Sequence, residues 1–239
     1  MTLGTLRAFI FDFDGTVVDS MEEFADIAAS VMPKHLPIDR KNARRRYIET
    51  SGIPFFEQLE VIFPGNSANA KAADEFEKTK LLSYYEKTFY SDVKETMEHL
   101  RSCGIYTIVS SNNFQNLVEE FVAKSDVSFD LVLGYKQGFA KGRDHFEHIR
   151  QTYELEKENM TFVGDSIKDG ERAMDYGINF IAKAGTFTAL EFREAFPDIS
   201  VISSISEIKD LAPHNYEMDA PGFDATPNRL SKKTNVEIS

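Results

Sequence analysis

Two aspartates spaced two apart, Asp12 and Asp14, close a short apolar run over residues 8–11, and Gly15 and Thr16 follow them. Carboxylates held this close repel, so the pair implies a cation or a shared proton. The hard cation that suits carboxylates together with phosphate oxygens is Mg²⁺. A compact apolar run ending in a glycine turn reads as a strand buried on both faces of a parallel sheet. Its carboxyl end is where ligands bind in open α/β sheets. The same residues also read as an Asx turn at a strand end, and the pair alone does not choose between the two.

Three further groups stand at similar places. Gly164-Asp165-Ser166-Ile167-Lys168-Asp169 follows the apolar run 160–163, with Asp169 one helical turn beyond Asp165. Ser110-Ser111-Asn112 ends the run 105–109, where a hydroxyl and free backbone N–H groups would hold a phosphate. Lys141 lies in a loop between Gly138 and Gly142. Taken singly, Asp165 or Ser166 reads as a helix cap, the serines as a cap for a helix from Phe114, and Lys141 as a solvated charge. Together they put acids, a hydroxyl and a cation at the carboxyl ends of successive strands.

The elements that must position them follow from periodicity. Apolar runs at 8–11, 105–109, 131–133, 160–163, 178–182 and 201–202 alternate with amphipathic helical stripes, which predicts βαβ units and a mostly parallel sheet in a three-layer, Rossmann-like α/β core. Residues 20–89 break this rhythm. A stripe of Phe24, Ile27, Ala28 and Val31 is expected to end at Pro33 and Pro37, with further helices near 39–49, 54–62 and 68–89 and no strand. The expected division is a discontinuous core, 1–19 and 90–212, a small helical domain inserted after the first strand, 20–89, and a polar, poorly ordered tail, 213–239.

Composition narrows the class. The chain has 239 residues and a formal net charge of −12, which argues against nucleic-acid and anionic-membrane partners. Cys103 is the lone cysteine, so neither an intramolecular disulfide nor a cysteine zinc cluster is expected. With no signal peptide or apolar span in view, the reading is a soluble cytoplasmic protein for which a monomer suffices.

The motif set, in this order over about residues 9–177, resembles the haloacid-dehalogenase-like hydrolase superfamily, in its phosphatase branch with an α-helical cap (the phosphoglycolate phosphatase and β-phosphoglucomutase kind). Asp12-Phe-Asp-Gly-Thr16 matches its first motif, Ser111 the second, Lys141 the third and 164–169 the fourth. Two points depart or stay open: Gly142 follows the lysine where many relatives have proline, and Ser110 competes with Ser111. The resemblance implies Asp12 as nucleophile and Asp14 as general acid and base. It implies Mg²⁺ held by Asp12, Asp165 and the backbone carbonyl of Asp14. Ser111, Asn112 and Lys141 would bind the phosphoryl group, with Thr16 and Asp169 in support.

Dehalogenating and phosphonate-cleaving members lack the second acid, so Asp14 favours a phosphate ester of a small metabolite. Sugar phosphomutases, the alternative, carry a histidine twelve residues after the nucleophile, where this chain has Phe24. A non-catalytic binding or regulatory protein of the same fold is the second alternative, and the intact acids and lysine argue against it. The segment 50–59 resembles the cap loop that reaches into the site in relatives, making Thr50, Ser51 and Gly52 candidate substrate contacts, with Glu57 or Gln58. Arg44, Arg45 and Arg46 fan too widely around a helix to act as one anion clamp.

Overall fold

Phe9 and Phe11 face one side of β1 (Ala8–Phe11), Ala8 and Ile10 face the other, and all four are fully buried, so this strand is covered on both sides. The computed structural model describes residues 6–211; the tail expected over 213–239 lies outside them. β1 pairs in parallel with β2 (Tyr106–Phe114) and β4 (Met160–Gly164). β3 (Leu131–Tyr135) adds to β2, β5 (Asn179–Lys183) to β4, and β6 (Ser200–Ile202) to β5. The sheet is wholly parallel, in the order β3-β2-β1-β4-β5-β6.

Between β1 and β2 run α1 (Met21–His35), α2 (Arg40–Glu49), α3 (Phe55–Ile62), α4 (Asn69–Tyr84) and α5 (Val93–Ser102). Then come α6 (Gln115–Lys124), α7 (Arg143–Thr152), α8 (Ile167–Tyr176) and α9 (Ala189–Ala195). Side chains of α5 and α6 cover the face that carries Phe9 and Phe11, and those of α7, α8 and α9 cover the opposite face. This is the expected three-layer α/β core. The helices α1–α4 pack on one another and contain no strand. An unbroken apolar cluster links them to the sheet through Phe13, Phe24, Tyr84 and Phe121, whose rings stack or meet edge to face.

Three boundaries differ from the sequence reading. Pro33 does not end α1, which runs on to His35; Pro33 is exposed, while Met32 and Leu36 beside it are buried and hold the last turn in place. A proline there removes one N–H and leaves the packed face intact. α4 stops at Tyr84 rather than 89, because the chain returns to the core: Phe89 bridges Val18, and the Tyr90 N–H donates to the Val17 carbonyl at 3.0 Å. β2 does not stop at Val109. It continues to Phe114 with a break in register against β3 between Ser110 and Phe114, and α6 starts without a side-chain cap.

Candidate active site

Asp12 follows β1 and Asp165 follows β4, and these strands are neighbours, so their carboxyl ends lie side by side; the Asp12 N–H still donates to the Val163 carbonyl at 2.8 Å. Ser111 comes from β2 on the other flank of β1, and Lys141 from the loop after β3. The register break in β2 lets residues 111–113 leave the ladder and turn toward the site, a common use of an irregular strand end.

Lys141 is buried, and its Nζ lies 2.6 Å from Asp12 Oδ1 and 2.7 Å from Asp169 Oδ1. Asp169 is further held by the Ser166 hydroxyl (2.7 Å) and, at 3.4 Å, by Arg172. The Thr16 hydroxyl lies 3.5 Å from Asp12 and 3.4 Å from Asp165, and Thr186 donates to Asp165. Oxygens of Asp12, Asp165 and Asp169 all fall within 4.8 Å of one another. The Asp14 carboxylate stands apart from this trio: the Ser20 hydroxyl donates to one oxygen (2.8 Å) and the Asn113 amide to the other (2.6 Å).

Electrostatics follow from this crowding. Burial raises the Asp12 carboxyl to about 6, against the pull of Lys141 and with the push of Asp169. Burial, with Asp12 and Asp169 close by, raises Asp165 well above its usual value. Burial also opposes the charge on Lys141, but Asp12 and Asp169 outweigh it and hold the ammonium above its ordinary range. Three buried carboxylates thus crowd around Lys141, with Arg172 at Asp169 and Lys183 at the Gly15 carbonyl, and the close approach of Asp12 and Asp165 is the pattern of a cation site. Gly15 fits the same reading. A Cβ there would sit 2.0 Å from Asp165 Oδ2, so the backbone leaving Asp14 passes directly over that carboxylate. The donor set, all oxygen, suits a hard divalent ion.

These groups open into a cavity of about 400 Å³ between the sheet edge and α1–α4. Asp12, Asp14, Ser111, Asn112, Asn113, Lys141 and Asp165 line it from the sheet; Phe24, Ser51, Gly52, Phe56, Gln58 and Lys80 are among those lining it from the helices. Ser111 and Ser110 diverge. Ser111 faces the cavity, whereas the Ser110 hydroxyl points the other way, 2.9 Å from Nδ1 of the buried His145. Thr50 is not brought to the cavity; its hydroxyl lies 2.7 Å from the Arg46 carbonyl and closes the end of α2. Ser51 lines the cavity with its buried hydroxyl unpartnered, while Gln58 turns its amide to the Ile53 carbonyl. Thr16 and Asp169 sit behind the lining, against the carboxylates and Lys141.

Gly52 ties the loop to the sheet side. Its carbonyl accepts from Asn112 (3.1 Å) and Arg172 (2.7 Å), and at φ +93° a Cβ would lie 2.3 Å from Ser166 Oγ. Arg44 pairs with Glu22 and Asp26, and Arg45 and Arg46 pair with Glu49, so none of the three reaches the cavity. Sequence reasoning missed Ser20, Lys80, Asn113, Arg172 and Thr186. Of these, Asn113 had a signal as the continuation of the serine motif; Ser20, six residues after Asp14, and Arg172, one turn after Asp169 on α8, are local, whereas Lys80 and Thr186 are brought in by other elements.

The haloacid dehalogenase-like hydrolase family model matches residues 9–183, and the chain belongs to that family. It is 23% identical over 227 residues to a haloacid dehalogenase-like hydrolase domain-containing protein of Arabidopsis thaliana, covering 90% of this chain and 86% of the relative. Among solved structures, a candidate phosphoglycolate phosphatase of Lactobacillus delbrueckii superposes with a TM-score of 0.72 at 15% identity, over 88% of this chain and 100% of that one. A haloacid dehalogenase-like hydrolase of Streptococcus pneumoniae superposes with a TM-score of 0.72 at 19% identity, over 87% and 99%. At these identities the structural likenesses establish the fold.

Proposed function

We propose that this hydrolase is a Mg²⁺-dependent phosphatase of a small phosphorylated metabolite, acting through an aspartyl-phosphate. The observation that carries the reading is the convergence of Asp12, Lys141 and Asp165 at one sheet edge, with Asp14 oriented into the same cavity by Ser20 and Asn113. Asp12 attacks phosphorus, forming the acyl-phosphate bond as the ester bond to the leaving oxygen breaks. Asp14 gives that oxygen a proton, then takes one from the water that hydrolyses the acyl-phosphate. Lys141 and the Ser111 hydroxyl, with the backbone at Asn112, hold the phosphoryl oxygens, since positioning and charge neutralisation dominate this chemistry. Asp169 holds Lys141 in place from behind.

Asp12, Asp165 and the backbone carbonyl of Asp14 would hold the magnesium ion. Its bound charge lets an anionic nucleophile meet an anionic phosphate. The helices of 20–89 act as a cap that closes the cavity, and Ser51 and Gly52 present its loop to the leaving group. A cavity of about 400 Å³ suits a small metabolite rather than a macromolecule. Phe24 supports hydrolysis over a mutase: it is buried against Tyr84 and has no proton to transfer. The test is phosphate release from p-nitrophenyl phosphate with and without Mg²⁺. Release is expected only with the metal and is abolished by Asp12→Asn; wild-type turnover in a clean preparation of that variant overturns the nucleophile assignment.

A further inference from the structure

Asp14 is oriented by a relay that starts in α4. The Asn113 side chain is buried, and every polar hydrogen and the oxygen of its amide have a partner. Its nitrogen donates to Asp14 Oδ2 (2.6 Å) and to the Tyr84 hydroxyl (3.1 Å), and its oxygen accepts from Lys80 Nζ (2.7 Å). These partners fix which way the amide faces. Flipped, it would turn two N–H groups on an ammonium and an oxygen on a carboxylate, and both contacts would become repulsive. Lys80 is itself confined: only 13% of its side chain is exposed, its ammonium lies 4.9 Å from the centre of the Phe24 ring, and Glu77 is 4.0 Å away. Among the described residues that line the cavity, it is the only cation besides Lys141.

The placement has a chemical consequence. An ammonium bonded directly to Asp14 would compete with the leaving oxygen for the carboxyl group. The amide inserts one spacer: it passes orientation from Lys80 to the carboxylate while keeping the charge off it. The relay also crosses between the two parts of the fold, since Lys80 and Tyr84 belong to α4 and Asn113 to the end of β2. Asn112, next in sequence, makes the other crossing to Gly52.

We propose that Lys80 and Asn113 are positioning residues that set the Asp14 carboxylate for proton transfer to the leaving oxygen. The proposal rests on the reading of Asp14 as the general acid. Single-turnover release of the alcohol from glycerol 2-phosphate and of nitrophenol from p-nitrophenyl phosphate tests it. The alkyl leaving group needs the proton and the nitrophenolate hardly does. Asn113→Ala and Lys80→Met are each expected to slow the alkyl ester about 10–100-fold, the scale of a misplaced catalytic group. The aryl ester should slow less than about threefold. Lys80→Arg, which keeps a donor, should recover most of the alkyl rate, and Asn113→Asp, of the same size but without the donor, should not. The double variant should be no slower than Asn113→Ala, and neither substitution should slow the alkyl ester further in Asp14→Asn. Equal losses on both esters, or losses that multiply in the double variant, overturn the relay. If Asp14→Asn discriminates between the esters and Asn113→Ala does not, the relay fails and the acid assignment stands. If Asp14→Asn spares the alkyl ester, the acid assignment fails and the relay with it.

Discussion

Ser110 and Ser111 are adjacent and chemically identical, yet they face opposite sides of β2. Ser111 looks into the cavity with Asp12 and Lys141, while Ser110 holds a buried histidine behind the sheet. Burial, reinforced by the nearby Lys141 charge, lowers His145 to about 4, so the ring is neutral at ordinary pH and Ser110 serves packing. Ser111→Ala should therefore lose turnover with little change in melting temperature. Ser110→Ala should keep most turnover but cost about 1–3 kcal/mol, because a buried ring nitrogen loses its partner. Thermal melts beside phosphate-release rates check this, and the reverse pattern would transfer the phosphoryl contact to Ser110. The serine motif could be placed from sequence at a strand end. Which hydroxyl faces the cavity depended on the register break after Ser110, and no residue type announces that break.

The elements meet most closely where the 50–54 loop rests on the start of α8. Gly52 takes a left-handed backbone there and lies against Ser166 and Lys168, while its carbonyl accepts from Asn112 and Arg172. Gly52→Ala both strains the backbone and wedges the loop away, because the new methyl has no room. Asp12, Lys141 and Asp165 stay assembled, since their side-chain partners come from outside this loop. The expected outcome is a large fall in kcat/KM for a metabolite that contacts the loop and a smaller fall for a small aryl phosphate, as closing the site excludes water for both. Equal falls in a folded variant would remove the loop from specificity. Sequence periodicity located these helices within a few residues, and Gly52 was visible as a bend. That its carbonyl is a docking point was not visible, because Asn112 and Arg172 lie 60 and 120 positions away.

Over the whole molecule, the crowding of carboxylates at the sheet edge couples stability to pH and metal. A carboxyl raised from 3.8 to about 6 in the fold binds more protons than it does unfolded, so Asp12 contributes stability that fades as pH rises through that window. His145, lowered to about 4, acts in the opposite sense and loses stability as pH falls from 6.5 toward 4. A raw stability curve therefore mixes the two, whereas the increment caused by added Mg²⁺ isolates the carboxylates. A divalent ion needs them deprotonated, so its increment in melting temperature should be larger at pH 8 than at pH 5 and should vanish in Asp165→Asn. Scanning calorimetry of chelated and Mg²⁺-supplemented protein checks this; equal increments at the two pH values would count against the Asp12–Asp165 cation site. Among the described residues, no helix is long and apolar enough to cross a membrane.

What the sequence by itself determined is local: six apolar runs, the helical stripes between them, and the acids and hydroxyls that end the runs. A buried strand and an amphipathic helix each leave a periodic imprint, and a parallel sheet places every strand's carboxyl end on one edge. Asp12, Asp165, Lys141 and the Ser110–Ser111 pair could therefore be gathered without coordinates. Only the tertiary structure decided what reaches that edge from elsewhere. Lys80 stands on a helix whose pattern marks it as one charge among several, and Asn113 is marked only as the residue after the serine motif; neither has a partner in the site until packing brings Lys80 and Tyr84 of α4 to the end of β2. A side chain's partners across 33 residues are set by how elements pack, and that information is spread over the whole core rather than written beside the residue.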